Sequence, residues 1–262
     1  MNIADFFPKK QLGQNFLIDD NIRRKIIQAC NLSKEDNVLE IGPGLGKMTK
    51  DLVILAKDVI AVEKDKRLTL YLCELFKDYK NLKILNQDIL KYKIKTKNTK
   101  IMGNIPYNIT SPIIEHFINQ KEKISVIYIT IQKEVGERIV ASPGTKDYSS
   151  FSLFVQYHTI PEIKFLISRG CFKPQPRVDS CFLELSIRDI PAVKVKNEEL
   201  FFKIIRTCFN QRRKMISNTL KKIITAQKIT ELSQQTGINP SNRPEDLSLE
   251  EFGRIADFVQ SC

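Results

Sequence analysis

Apolar and polar residues follow two different periodicities over the first 190 residues of the chain. Short apolar runs rich in β-branched residues predict strands, and segments with apolar residues at helical spacing lie between them. Strands that alternate with helices predict an α/β domain built on a mostly parallel sheet. The predicted strands are 38–41, 59–63, 82–88, 100–102, 126–132, 162–167 and 181–187, and the last two are expected to pair as a hairpin.

The predicted helices of this region are 21–30, 49–56, 111–119, 133–141 and 149–157. Asp19 or Asp20 can cap the first of them. After residue 190 the strand pattern stops, and helices are predicted at 198–210, 212–225, 229–235 and 249–259. We therefore expect an α/β domain over 1–190 and a small all-α domain over 191–262.

A glycine-rich turn follows the first predicted strand directly, at Gly42-Pro43-Gly44-Leu45-Gly46. A strand, a glycine turn and a helix in succession are typical of nucleotide-handling α/β units, because glycine lets the backbone approach a ligand closely. The spacing G-x-G-x-G, with no lysine after it, excludes a P-loop and weakens a dinucleotide fingerprint.

Carboxylates end the next two predicted strands. Glu63 lies 21 residues after Gly42, at the spacing from which an acid binds ribose hydroxyls, and Asp88 ends the third strand. Each acid alone is more simply a solvated strand terminus. Together with the glycine turn they predict a ligand site, since parallel strands bring their carboxyl ends to one edge.

The segment Asn104-Ile105-Pro106-Tyr107 follows the fourth predicted strand. Proline fixes its own φ and biases Ile105 towards extended geometry, so the chain forms a stiff corner. The Asn104 carboxamide and the Ile105 carbonyl can then accept hydrogen bonds beside the flat Tyr107 ring, an arrangement that suits the amine of a planar base. An isolated motif of this kind is more often a strand-to-helix turn with an asparagine cap.

The amino-acid composition limits the classes of partner that the protein is expected to bind. The chain has 262 residues with 42 Lys and Arg against 30 Asp and Glu, a net charge of +12 that favours nucleic acid or, second, an anionic membrane surface. No apolar run is long enough to span a bilayer, and the first residues do not resemble a secretory signal. Six cysteines without C-x-x-C spacing predict a protein of the reducing cytosol, and the presence of only two histidines argues against a metal site.

Basic residues dominate the helical region. Between Glu199 and Glu231 there are eight Lys or Arg residues and no acid, including Arg212-Arg213-Lys214. A solvated helix face explains such a run equally well on charge alone. Solvated faces usually mix both signs, however, so an RNA-docking surface is the alternative interpretation.

These motifs together resemble those of the small-subunit rRNA adenine dimethyltransferases. The resemblance rests on the glycine turn, on 104–107, on Gly13-Gln14-Asn15-Phe16-Leu17, on Gln132-Lys133-Glu134-Val135, on Gln211-Arg212-Arg213-Lys214 and on the segment from Phe172 to Ser180. It covers nearly the whole chain. Ile105 stands where that family often has leucine, which leaves a backbone carbonyl role unchanged.

The resemblance implies a Rossmann-like class I methyltransferase with a seven-stranded, mostly parallel sheet, helices on both faces and a C-terminal helical RNA-docking domain. It implies S-adenosylmethionine as cofactor, S-adenosylhomocysteine as product, and no metal. The implied cofactor-binding residues are Asn15 and Leu17 in an arm over 1–20, Gly42, Gly44, Glu63, Asp88 and Asn104. The implied catalytic residues are Asn104, Ile105, Pro106, Tyr107 and Phe172, and the implied RNA-binding residues are Lys10, Arg212, Arg213 and Lys214.

The implied activity is N6,N6-dimethylation of adenosines, two of them adjacent, in the 3′-terminal hairpin of small-subunit rRNA during ribosome biogenesis. The expected protein is a cytoplasmic monomer acting on a pre-30S particle, without membrane contact. Alternatives are a resistance-type methyltransferase of large-subunit rRNA and a non-catalytic RNA-binding assembly or transcription factor on the same scaffold. A DNA adenine methyltransferase would need a larger recognition domain than the helical region provides.

Overall fold

The computed structural model describes residues 13–262. The chain divides into two compact units, one formed by the described part of Met1–Gly136 with Pro161–Ile187 and the other by Glu137–Ile160 with Arg188–Cys262. The helical unit therefore contains a segment, Glu137–Ile160, that precedes the predicted boundary at residue 190. The candidate RNA-binding residue Lys10 lies outside the described residues.

Seven strands of the first unit form one sheet, and in chain order they are β2 Asn37–Ile41, β3 Asp58–Glu63, β4 Leu82–Asn86, β5 Thr99–Asn104, β6 Ile124–Gln132, β7 Thr159–Ile167 and β9 Ser180–Ile187. Their order across the sheet is β4-β3-β2-β5-β6-β9-β7. Neighbouring strands from β4 to β6 pair in parallel, and β9 pairs antiparallel with β6. The predicted mostly parallel sheet is confirmed, and β7 and β9 are neighbours as expected.

The strand order reverses between β2 and β5. From β2 the chain moves outwards to β3 and β4, and it then returns to place β5 on the other side of β2. Crossovers between parallel strands are right-handed, so the helices after β2 and β3 cover one face and the helix after β5 covers the other. Ligands of open α/β sheets bind at such a reversal, outside the carboxyl ends of the strands.

The first three helices that accompany the sheet begin at side-chain or glycine caps. Asp19 is the cap of the first helix, since its Oδ1 accepts the N–H groups of Asn21 and Ile22 at 2.8 and 3.0 Å. Asp65 caps the third helix in the same way. The helices are α1 Asp20–Ala29, α2 Lys47–Leu55, α3 Lys66–Leu75, α4 Thr110–Ile118 and α5 Lys133–Val140.

Two short strands form a separate antiparallel pair. β1, Phe16–Leu17, pairs with β8, Phe172–Lys173, and Leu17 lies opposite Phe172. Both of these side chains are buried in one apolar cluster with Met48. The pair attaches the start of the described chain to the segment before β9.

The second unit is helical and has a core of its own. Aromatic and aliphatic side chains such as Phe201, Ile205, Leu232 and Phe252 are almost fully buried there. No helix within residues 13–262 is long and apolar enough to cross a membrane. The helices are α6 Ser150–His158, α7 Glu198–Phe209, α8 Ile216–Leu220, α9 Ala226–Thr236 and α10 Leu249–Gln260.

The prediction of one helix over 212–225 is wrong. Residues 210–213 form turns and residue 214 a bend, and within 212–225 only Ile216–Leu220 is an α-helix. The N–H groups of Ile216 and Ser217 donate to the carbonyls of Asn242 and Pro240 at 2.8 and 3.1 Å, bonds to a segment distant in sequence. These tertiary hydrogen bonds place the fully buried Ile216 side chain in the core. They also interrupt the predicted helix, which begins only at Ile216.

Candidate active site

A cavity lies at the carboxyl edge of the parallel strands, within the first unit. It collects most of the site residues predicted from the sequence, from four separate strand ends and from the arm segment before β1. Those predicted residues are Asn15, Gly42, Gly44, Glu63, Asp88, Asn104, Ile105, Pro106 and Tyr107. Of the predicted residues that the structure describes in this unit, Leu17 and Phe172 do not line the cavity.

The glycine turn between β2 and α2 has left-handed backbone at each glycine. Gly42, Gly44 and Gly46 have φ values of 60°, 59° and 78°. A Cβ on Gly42 would meet nothing within 4 Å, so this backbone faces open space, whereas a Cβ on Gly46 would lie 2.7 Å from the Phe76 ring. The first glycine therefore leaves room for a ligand, and the last allows close packing.

Glu63, at the end of β3, is 6% exposed and holds the turn from the side. Its Oε1 accepts the Asp65 N–H at 2.8 Å, and its Oε2 accepts the Gly44 N–H at 3.3 Å. Burial raises the pKa of this carboxyl, and the backbone donors oppose part of that rise. A carboxylate placed here can accept hydrogen bonds from hydroxyl groups of a ligand.

Asp88 follows β4 and, unlike the buried Glu63, forms an ion pair with a lysine. Its Oδ2 lies 2.8 Å from Lys64 Nζ, and its Oδ1 accepts the Leu90 N–H at 3.1 Å. The Lys64 hydrogen bond is the largest influence and lowers the pKa of Asp88. The carboxylate therefore stays ionised, and it can accept a hydrogen bond from a ligand amine.

The corner at 104–107 is held from three directions. Asn104 Nδ2 donates to the Asn15 carbonyl at 2.7 Å, and the Ile105 N–H donates to the Thr130 carbonyl at 3.0 Å. The Tyr107 hydroxyl lies 2.7 Å from Ser180 Oγ on β9. Ile105 lines the cavity although the residue is only 1% exposed, so its side chain is packed in the interior.

Phe172 was expected from the sequence to be a catalytic residue, but its side chain does not face the cavity. Its side chain is 2% exposed and belongs to the apolar cluster under the β1–β8 pair. The cause is strand pairing with Leu17, which turns the ring inwards. Phe16, which was not among the site residues predicted from the sequence, lines the cavity and would lie 3.0 Å from a Cβ placed on Gly44.

Glu40 is a second residue that was not among the predicted site residues. It is fully buried in β2, where Thr49 Oγ1 donates to its Oε2 at 2.7 Å and Oε1 has no hydrogen-bond partner among the described residues. Burial is the main cause that raises its pKa to about 8. A glutamate inside an otherwise apolar strand was the available signal.

The predicted RNA-binding residues of the second unit separate into two environments. Arg212 is ion-paired with Glu245, and its Nη2 donates to the Lys146 carbonyl. Arg213 and Lys214 are exposed, without ion-pair partners among residues 13–262, and line an open groove together with Lys222. Arg212 therefore has a structural role in its own unit, whereas the next two residues are available to solvent.

Comparison with known proteins agrees with this geometry. Residues 6–261 match the family model for ribosomal RNA adenine dimethylase. The chain is 41% identical over 99% of its length to ribosomal RNA small subunit methyltransferase A of Clostridium botulinum strain Loch Maree, covering 96% of it. It is 38% identical to the Clostridium acetobutylicum protein of the same name, over 95% of this chain and 93% of that one.

Solved structures show the same fold. A dimethyladenosine transferase from Plasmodium falciparum has a TM-score of 0.79 at 25% identity, with 92% of this chain and 95% of that one covered. The 23S rRNA methyltransferase ErmE has a TM-score of 0.76 at 25% identity, with 94% of this chain and 100% of the ErmE chain covered. The fold is the Rossmann-like class I methyltransferase fold with a C-terminal helical region, and the chain belongs to the ribosomal RNA adenine dimethylase family.

Proposed function

We propose that this protein transfers methyl groups from S-adenosylmethionine to N6 of adenosines, two of them adjacent, in the 3′-terminal hairpin of small-subunit rRNA, giving N6,N6-dimethyladenosine. The observation that carries the proposal is one cavity lined by the glycine turn, two carboxylates and the Asn104–Tyr107 corner. The named relatives at 38–41% identity support the small-subunit rRNA as substrate.

The residues present fit the cofactor. Gly42 leaves open the space that a Cβ would fill, and two acceptors, Glu63 and Asp88, line the same cavity. Glu63 would accept from the ribose hydroxyls, Asp88 from the adenine amine, and the turn would approach the methionine part. When bound, S-adenosylmethionine supplies an activated methyl group on a sulfonium centre.

The chain's own contribution to transfer is positioning. The N6 lone pair of adenine is delocalised into the ring, so the amine is a poor nucleophile. Asn104 Oδ1 and the Ile105 carbonyl would accept the amine hydrogens and hold nitrogen towards tetrahedral geometry. Holding the amine in line with the methyl group lowers the activation barrier by several kcal/mol, as it does in well-oriented intramolecular reactions.

Tyr107 would hold the extracted base. A base must leave its stack before its amine can be methylated, and an aromatic wall stabilises it outside, by ~1–3 kcal/mol for one stack. The hydrogen bond between the Tyr107 hydroxyl and Ser180 Oγ keeps the ring in place, and burial, the largest cause, raises the pKa of the phenol so that it stays neutral.

The large-subunit alternative is less well supported. ErmE shares the fold at 25% identity, whereas the relatives named for the small subunit reach 41% over nearly their full length. We therefore propose a pre-30S particle as substrate, with the protein acting as a monomer in the cytoplasm, where ribosomal subunits are assembled.

RNA docking is assigned to the exposed basic groove of the helical unit. Arg213, Lys214 and Lys222 line it, and their charges would contact phosphates without reading sequence. RNA helices hide most base identity, so the shape of the folded rRNA and the extracted adenine would provide specificity. Arg212 is left out of this surface because Glu245 neutralises it.

The deciding experiment is tritiated-methyl transfer to small subunits that lack the modification, followed by digestion to nucleosides. N6,N6-dimethyladenosine in the 3′-terminal hairpin is the expected product. Label confined to large subunits, or to ring nitrogens or ribose 2′-oxygens, would overturn the proposal.

A further inference from the structure

The Asn104 carboxamide is oriented by a main-chain group of the arm segment. Its Nδ2 lies 2.7 Å from the Asn15 carbonyl oxygen. A carbonyl only accepts, so the amide must turn its nitrogen towards Asn15, and the reverse orientation would place two acceptors against each other. Oδ1 then accepts no hydrogen bond from any group within residues 13–262 and remains available to a substrate amine.

The Asn15 carbonyl is held there by contacts on both sides of it. After it, β1 pairs with β8, and the Ile18 N–H donates to the Cys171 carbonyl at 2.8 Å. Before it, Gly13 has a φ of 62°, and a Cβ on this glycine would lie 3.1 Å from Asn108 Oδ1 and 3.3 Å from Pro106 Cβ. The segment 13–18, called the strap below, is therefore seated directly against the 104–107 corner.

We propose that the Asn15 carbonyl is a positioning group for methyl transfer. It selects the amide orientation in which Asn104 Oδ1 accepts from the substrate amine, so that transfer requires a seated strap. This inference rests on the proposed function, and it goes beyond a strap that only covers the cofactor. A covering role predicts a change in cofactor affinity, whereas a positioning role predicts a change in kcat at saturating cofactor.

Gly13→Ala tests the seating. A left-handed alanine with little space beside Pro106 should shift the strap at this end while β1 stays paired with β8. Gly237→Ala is the matched control, because Gly237 has a φ of 72°, no neighbour within 4 Å and a place in the other unit. We expect Gly13→Ala to lower kcat at least tenfold at saturating S-adenosylmethionine and the control to leave it unchanged.

Asn104→Asp tests the orientation through pH. A protonated aspartic acid can donate to the Asn15 carbonyl and still accept from the substrate, whereas the ionised form places an acceptor against an acceptor. We expect kcat of this variant to fall as pH rises through the titration of the new carboxyl, while the wild type shows no such fall. If the hydrogen bond to the Asn15 carbonyl does not matter for transfer, the ionised carboxylate is the better acceptor for the substrate amine, and kcat rises with pH.

Two results would overturn the proposal: an unchanged kcat in Gly13→Ala with only the KM for S-adenosylmethionine raised, or an Asn104→Asp profile that is flat or rises with pH. Failure of the proposed function is distinguishable from both, because the wild type itself would then leave small-subunit adenosines without the N6,N6-dimethyl product.

Discussion

Glu40 should make the free energy of unfolding depend on pH. Burial, the largest cause, raises the pKa of its carboxyl from an ordinary 4.5 to about 8, with the Thr49 hydrogen bond opposing and the charge of Glu63 adding to the rise. The folded pKa lies above the unfolded one, so the folded state holds one more proton between these values. Stability from the neutral form is complete below pH 4.5 and is lost as the pH rises through 8.

The size of the effect follows from the same two values. The difference between 4.5 and about 8, at about 1.4 kcal/mol per pH unit, sets a ceiling of about 5 kcal/mol. Glu40→Gln keeps the shape and the acceptor for Thr49 Oγ1 and cannot ionise. We expect it to be more stable than the wild type by ~2–5 kcal/mol at pH 9 and to have no such advantage at pH 4.5.

Urea unfolding of the cofactor-free protein, followed by circular dichroism at several pH values, measures this difference. Glu35→Gln is the matched control, because Glu35 is exposed and loses a carboxylate of the same kind. Its stability should follow the wild type at every pH. If Glu40→Gln also follows the wild type at every pH, the buried Glu40 carboxyl contributes no pH dependence to stability and this prediction is refuted.

Four further predictions concern methyl transfer, cofactor binding, RNA binding and the Arg212 ion pair. Asn104→Ala should impair the first methyl transfer more than the second, since a monomethylated amine has one hydrogen left to donate; nucleoside analysis of single-turnover products would show this ratio. Glu63→Gln should weaken S-adenosylmethionine binding measured by calorimetry, because an amide cannot accept at both ends, and one lost charge-assisted bond costs about 1.5–3 kcal/mol. Arg213→Glu with Lys214→Glu should weaken subunit binding and flatten its salt dependence, whereas Arg212→Ala should cost about 1 kcal/mol or less of stability through its lost, partly exposed ion pair. An unchanged product ratio, an unchanged cofactor affinity or an unchanged salt slope would contradict the first three predictions respectively. A loss of stability well above about 1 kcal/mol in Arg212→Ala, measured by urea unfolding, would contradict the fourth.

Local pattern was enough to predict the scaffold of the site. Gly42, Glu63, Asp88 and Asn104 each follow an apolar run that is a strand in the structure, and all four line one cavity. The physical reason is that strand periodicity is a local property. Parallel pairing then brings every carboxyl end to the same edge, whatever the rest of the chain does.

Tertiary structure decided which neighbouring residues face that cavity. Phe172 is buried because Leu17, far away in sequence, pairs with it, and Arg212 turns to Glu245 although the basic run suggested a uniform surface. The same holds for Asn104, whose amide orientation depends on a carbonyl 89 residues earlier. The sequence by itself thus determined the strands, the glycine turn and the chemistry at their ends, because these depend on neighbours along the chain. Side-chain directions were decided by contacts between distant segments, which no local periodicity encodes.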